Sequence, residues 1–208
     1  METREKIDRV VDARGLPCPK PLILVRKALS EMVPGQTLQV LLDNETSCNN
    51  VFRFMSDNGC EPARSSVDGQ FSVIGRKTSA TATSLPTGEY CTPSPGVSGP
   101  VICFNRRGMG QGSDELGNIL VQGFVNALRE ISPLPPSIVF YNAGVQLACE
   151  GSPILPALKE LEKKGVRLLV CGTCLEFFDL RKKLGAGTVS NMLEILQVLH
   201  CAHHIVNP

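Results

Sequence analysis

The chain has 208 residues, 42% of them apolar, a formal net charge of +1, two tyrosines and no tryptophan. That length holds one large or two small packed domains, and the near-neutral charge and scarce aromatics give little support to a nucleic-acid or membrane-surface role. No run approaches the roughly 20 apolar residues of a membrane helix, and the charged start Met1-Glu2-Thr3-Arg4-Glu5-Lys6 has no apolar run behind it of the kind a secretory signal carries.

Residues 8–14 read as a strand that ends at the corner Gly15-Leu16-Pro17-Cys18-Pro19-Lys20-Pro21. A helix follows from about Pro19 to Met32. Prolines suit its first turn, where backbone N–H groups have no intrahelical partner. Leu22, Val25 and Leu29 give its apolar stripe, widened by Ile23 and Leu24. Pro34-Gly35 stops it, and Leu38 to Leu42 is a second strand. A second helix runs from about Ser47 to Asp57 and ends at Asn58-Gly59. Glu61 to Val67 and Gln70 to Lys77 form a hairpin around Asp68-Gly69. The order β-α-β-α-β-β predicts a small two-layer α/β domain over residues 1–77.

Residues 78–99 are rich in Ser, Thr, Pro and Gly and lack periodicity, so they read as a flexible linker. About 20 such residues have a root-mean-square reach near ~25 Å. Residues 100–208 then alternate strand and helix. The predicted strands are Val101–Phe104, Ser137–Asn142, Val166–Val170 and His204–Val206. The predicted helices run from about Asp114 to Glu130, Pro153 to Lys164, Cys174 to Leu184 and Ser190 to His200, with a loop through Gly144 and Gly151. This alternation argues a doubly wound, flavodoxin- or Rossmann-like parallel sheet.

Nine cysteines, an odd number lying mostly in apolar runs, point to a reducing, cytoplasmic setting rather than a disulfide scaffold. Cys18 stands at the positive end of a helix, with Arg14 and Lys20 nearby, and Pro19 and Pro21 stiffen the corner. These features favour a thiolate. All three histidines lie at residues 200–204, which excludes a Cys–His hydrolase within the first domain. What remains is a persulfide, a mixed disulfide, a metal thiolate, or a plain structural cysteine in a proline turn. Cys171 and Cys174 make a second corner, where an apolar strand meets a helix. They read as a thioredoxin-like redox pair, as part of a zinc site with Cys201, His203 or His204, or as small core residues. The remaining cysteines, 48, 60, 91, 103, 149 and 201, read as structural.

The loop Gly108-Met109-Gly110-Gln111-Gly112 lacks the third glycine of a dinucleotide fingerprint and the Gly-Lys-Ser/Thr of a P-loop. It reads as a close turn, with Ser113 or Asp114 capping the helix. Asn105, Asn142 and Glu150 fall on the same sheet rim as Cys171 and Cys174, where ligands of such sheets bind. They are the candidate substrate-facing residues.

Asp12-Ala13-Arg14-Gly15-Leu16-Pro17-Cys18-Pro19-Lys20-Pro21 resembles the signature of the TusA, or SirA-like, family, whose Cys-Pro-x-Pro corner opens the first helix. The resemblance implies a sulfur carrier that accepts a persulfide on Cys18 and passes it on. The second domain resembles the DsrE family, whose reactive cysteine follows the third strand. By position this is the Cys171/Cys174 pair, with Cys174 as the reactive member and Cys171 as a resolving thiol. The tandem, with Phe140-Tyr141-Asn142-Ala143-Gly144-Val145 and Glu150-Gly151-Ser152-Pro153, resembles the YedF family of sulfurtransferase-like proteins associated with selenium metabolism. The resemblances imply a cytoplasmic sulfur or selenium relay that needs no bound cofactor or metal. They further imply a cysteine desulfurase or other persulfide donor, a downstream acceptor protein and assembly of copies. The alternatives are a redox-sensing or partner-binding regulator and a thiol-disulfide oxidoreductase working through Cys171 and Cys174.

Overall fold

The computed structural model describes residues 6–78 and 99–208, which form two compact units. The predicted linker lies almost wholly outside the described residues.

The first unit runs β1 (Arg9–Asp12), α1 (Lys20–Glu31), β2 (Thr37–Leu42), α2 (Glu45–Asp57), β3 (Cys60–Val67) and β4 (Gln70–Lys77). The sheet order is β1-β2-β4-β3. β1 and β2 are parallel, because a helical crossover joins them, and the β3–β4 hairpin adds antiparallel strands. Asp68 and Gly69 both have positive φ at the hairpin turn, +50° and +76°, as the twist of a two-residue turn requires. Leu38, Val40 and Leu42 of β2 are buried with Leu22, Val25 and Leu29 of α1 and Val51 and Met55 of α2.

The apolar stripe of α1 is narrower than its sequence suggested. Ile23 and Leu24 are 49% and 36% exposed. At 100° per residue they turn away from the stripe of Leu22, Val25 and Leu29 that faces the core.

In the second unit β5 (Val101–Phe104), α3 (Asp114–Leu128), β6 (Ser137–Phe140), α4 (Leu155–Lys163) and β7 (Arg167–Cys171) are followed by α5 (Gly172–Phe177), β8 (Thr188–Ser190), α6 (Met192–His200) and β9 (Ile205–Val206). The sheet is parallel throughout, in the order β8-β7-β6-β5-β9. The chain steps in one direction from β5 to β8, then returns across the sheet to β9 at the opposite edge. Right-handed crossovers therefore place α3 and α4 on one face and α6 on the other, which is the doubly wound arrangement. β5 and β6 are buried along their whole length, and Phe104 stacks on Phe140 with centroids 5.4 Å apart.

Three readings of this unit need correcting. The helix expected from Cys174 to Leu184 is the six-residue α5 followed by a separate 3-10 turn, Arg181–Lys183. Thr188–Ser190 is a fifth strand, too short and too polar at its start to show a strand period. The segment expected as a loop through Gly144 is a 3-10 helix, Asn142–Ala148.

Candidate functional site

Cys18 lies in the turn between β1 and α1 and is half-buried. Two bonds tie this corner to the end of β2. The Ala13 N–H donates to the Leu41 carbonyl at 2.9 Å, and the Gly15 N–H donates to Asp43 Oδ2 at 2.5 Å. Gly15 reaches that carboxylate at φ +70°, which glycine adopts without strain. Pro19 caps α1, Pro21 is buried in its first turn, and the Lys20 N–H turns back to the Pro17 carbonyl at 3.0 Å. With one amide so used and another absent at Pro21, this turn offers a sulfur fewer N–H groups than an ordinary helix start.

Arg14 grips Asp12 with two bonds, Nε to Oδ1 at 2.9 Å and Nη2 to Oδ2 at 2.6 Å. Its charge is therefore largely matched within the corner. Lys20 is exposed on the first turn.

The hydrogen bonds from Arg14 hold the Asp12 carboxyl down at about 2, and the Gly15 amide holds that of Asp43 below its usual range. Both folded-state values lie below the ordinary value near 4, so their stabilisation is complete above about pH 4 and is lost as pH falls through the folded values. The thermal midpoint of an Asp43→Asn variant should lie below that of the parent at neutral pH. The gap should narrow as pH falls from about 4 towards 2. A gap that stays constant across that range would show that the charge on Asp43 does not secure the corner.

In the second unit Cys171 closes β7 and caps α5, and only 1% of it is exposed. Cys174 sits in the first turn of α5 and is half-buried. α5 has six residues, too short for a large dipole, so the helix-end argument that serves a long helix is weak here. What the sulfur receives is one specific donor: the Asn142 N–H points at Cys174 Sγ from 3.1 Å. An N–H donor aimed at a sulfur favours negative charge there, on a thiolate or a persulfide.

Asn142 and Asn105 line a cleft of about 640 Å³ with Arg106, Ser113, Asn118 and Tyr141. Glu150 lies in a neighbouring hollow of about 370 Å³, which shares Arg107 and Asn118 with the first. The structure therefore groups Cys174, Asn142 and Asn105, and sets Glu150 one hollow away. Cys171 shares the rim but is covered.

Arg106 and Arg107 escaped the sequence reading. A pair of cations directly after a buried strand of a parallel sheet was the available signal. Arg106 fastens the glycine loop by donating to the Gly110 carbonyl at 2.8 Å. Gly108 packs so closely on α3 that an added Cβ would lie 2.9 Å from the Gly117 backbone, and Ser113 caps α3 by accepting the Leu116 N–H at 3.2 Å. Loop-to-helix packing thus accounts for these residues. Cys48, Cys60, Cys103 and Cys149 are buried, and burial pushes each thiol up. Among the described residues no group of three His, Cys, Asp or Glu is placed to hold a metal ion, and no helix is long and apolar enough to cross a membrane.

Residues 9–77 match the family model described as sulfurtransferase TusA, and residues 122–208 match the DsrE/DsrF-like family. The second match begins within α3, beyond the glycine loop and Asn105. Among solved structures, the chain is 30% identical to a SirA-like protein from Desulfitobacterium hafniense, covering 34% of this chain and 99% of that one with a TM-score of 0.32. It is 18% identical to a protein of unknown function from Methanobacterium thermoautotrophicum, covering 53% of this chain and 100% of that one with a TM-score of 0.39.

Proposed function

We propose, for a chain that joins a TusA-like domain to a DsrE-like domain, a sulfur relay with two stations, Cys18 and Cys174. Both families are sulfur-relay, sulfurtransferase-like proteins whose members work with sulfur donors and acceptors. The observation that carries the two-station reading is exposure. Of the free cysteines at 18, 48, 60, 103, 149, 171 and 174, only Cys18 and Cys174 reach solvent. A thiol that exchanges sulfur with another protein must be reachable, and these two stand at strand-to-helix corners of separate units.

In the proposed step the Cys18 thiolate attacks the outer sulfur of a donor persulfide. The donor's S–S bond breaks, its inner sulfur leaves as a thiolate, and Cys18 now carries the persulfide. The S–S bonding pair stays on the donor's inner sulfur and the new bond is made from a Cys18 lone pair, so the outer sulfur keeps its oxidation state and no external oxidant or reductant is needed. A second exchange of the same form moves the outer sulfur to Cys174. A cysteine desulfurase is the proposed donor, a downstream protein the acceptor, and the cytoplasm the setting. The YedF-like tandem extends the proposal to selenium, since a selenopersulfide transfers its outer atom by the same displacement.

In the alternative, a Cys171–Cys174 redox pair, the exposed Cys174 would attack a partner's disulfide and the buried Cys171 would resolve it; failure to form a Cys171–Cys174 disulfide under mild oxidation would remove that reading. Incubation with a cysteine desulfurase and cysteine, followed by intact mass measurement, should show added sulfur that maps to the Cys18 and Cys174 peptides. Absence of an adduct at every cysteine would sink the relay.

A further inference from the structure

We propose that Asn142 is the positioning residue for Cys174: its left-handed backbone aims its amide N–H at the Cys174 sulfur and holds it there. The inference rests on the reading of Cys174 as a reactive thiol, and it adds the device that orients that thiol.

The amide nitrogen lies 3.1 Å from Sγ. Asn142 has φ +49°, a conformation that Asn and Gly tolerate and β-branched residues do not. Contacts on both sides fix this conformation. One residue earlier, the Tyr141 N–H donates to the Phe104 carbonyl at 3.0 Å. Two residues later, Gly144 passes so close to the end of β5 that an added Cβ would lie 2.2 Å from the Phe104 oxygen. The 3-10 turn is thus pressed against the strand end and cannot slide without losing that fit.

The backbone that carries the sulfur is held from its own side. The Phe178 N–H donates to the Cys174 carbonyl at 3.1 Å, and the Leu180 N–H to the Leu175 carbonyl at 2.8 Å, so α5 closes on a tight turn. Two separately anchored elements therefore meet at one N–H···S contact. Asn142 also lines the large cleft, so the residue that donates to the sulfur is itself part of the cleft wall. A backbone donor fixed in advance stabilises charge on the sulfur without having to reorganise. A strained residue over-determined by its neighbours at such a contact is the pattern expected of a functional position.

The test uses the full chain in a Cys18→Ser background. The alkylation rate of Cys174 by iodoacetamide is followed by peptide mass spectrometry between about pH 5 and 9. Asn142→Gly keeps the left-handed backbone, and Asn142→Val must leave it. At neutral pH the glycine variant should react about tenfold faster than the valine variant, whose rate profile should move to higher pH. Gly144→Ala, which displaces the turn while keeping Asn142, should slow Cys174 in the same direction. It serves as the second variant if Asn142→Val does not fold. Equal rates for the glycine and valine variants, fast or slow, would overturn the proposal, as would an unchanged rate in a folded Gly144→Ala. Alkylation needs no sulfur donor. A relay that fails while the glycine–valine difference persists strikes the proposed function and leaves the role of Asn142 intact.

Discussion

A Cys18→Ser chain incubated with a cysteine desulfurase and cysteine is expected to take up no sulfur, at residue 18 or at Cys174. Cys18 is the proposed entry, and sulfur that cannot enter cannot be forwarded. Cys174→Ser has the complementary result: sulfur loads and stays on Cys18, with one adduct where the parent distributes sulfur over two sites. Loss of a nucleophilic sulfur removes the covalent step itself, so each effect should exceed a hundredfold in the rate of the affected transfer, on the order of the loss seen when an essential nucleophile is deleted. Cys171→Ser should leave loading near the parental level, because Cys171 is 1% exposed and already closed off by β7 and α5. Intact mass and peptide mapping read all three variants. Loading of Cys174 in Cys18→Ser at the parental rate would remove the order of the stations and make Cys174 an independent acceptor.

Lys77→Met should destabilise the first unit by about 2–4 kcal/mol. Lys77 is 2% exposed at the end of β4, and its ammonium donates to the Leu29 carbonyl at 2.9 Å and the Met32 carbonyl at 2.8 Å. Those carbonyls belong to the end of α1, which has no basic residue of its own in the last turn. The lysine therefore supplies from another element the cap and the positive charge that a helix C-terminus favours. Methionine keeps the length of the side chain, so the loss falls on the hydrogen bonds and the charge rather than on volume. For a unit of this size the thermal midpoint should drop by on the order of 10 °C or more. Calorimetry resolves the effect, because the transition of the second unit should not move. A midpoint within a degree or two of the parent would show that water can replace the ammonium.

The order of elements was legible in the residues. Helical spacing at Leu22, Val25 and Leu29, the stop at Pro34-Gly35 and the hairpin at Asp68-Gly69 are local signals that act through propensity and backbone sterics. The uninterrupted apolar runs at 101–104 and 168–171 marked strands buried on both faces. Local signals failed where the neighbours decide. Thr188–Ser190 becomes a strand because β7 offers it an edge to pair with. Ile23 and Leu24 look like core residues by type, but their angular position on α1 exposes them. Lys77 looks like a solvated strand end and is instead a buried cap, set by a partner 48 residues away.

The candidate site divides along the same line. The sequence by itself determined that a cysteine ends up at each of two strand-to-helix corners, since strand period, proline and glycine fix where elements start and stop. It also restricted the chemistry at the first corner by placing every histidine at residues 200–204. Only the tertiary structure decided which thiols can be reached. It buried Cys171 and left Cys174, three residues on, half-buried, because β7 is an interior strand flanked by β6 and β8 while the turn of α5 climbs out of the sheet. Only the tertiary structure brought the Asn142 amide to Cys174 from 32 residues away, through a parallel pairing of β6 and β7 that sets their carboxyl ends side by side. Local sterics govern where a chain turns; burial and the direction of a donor depend on packing between segments distant in sequence.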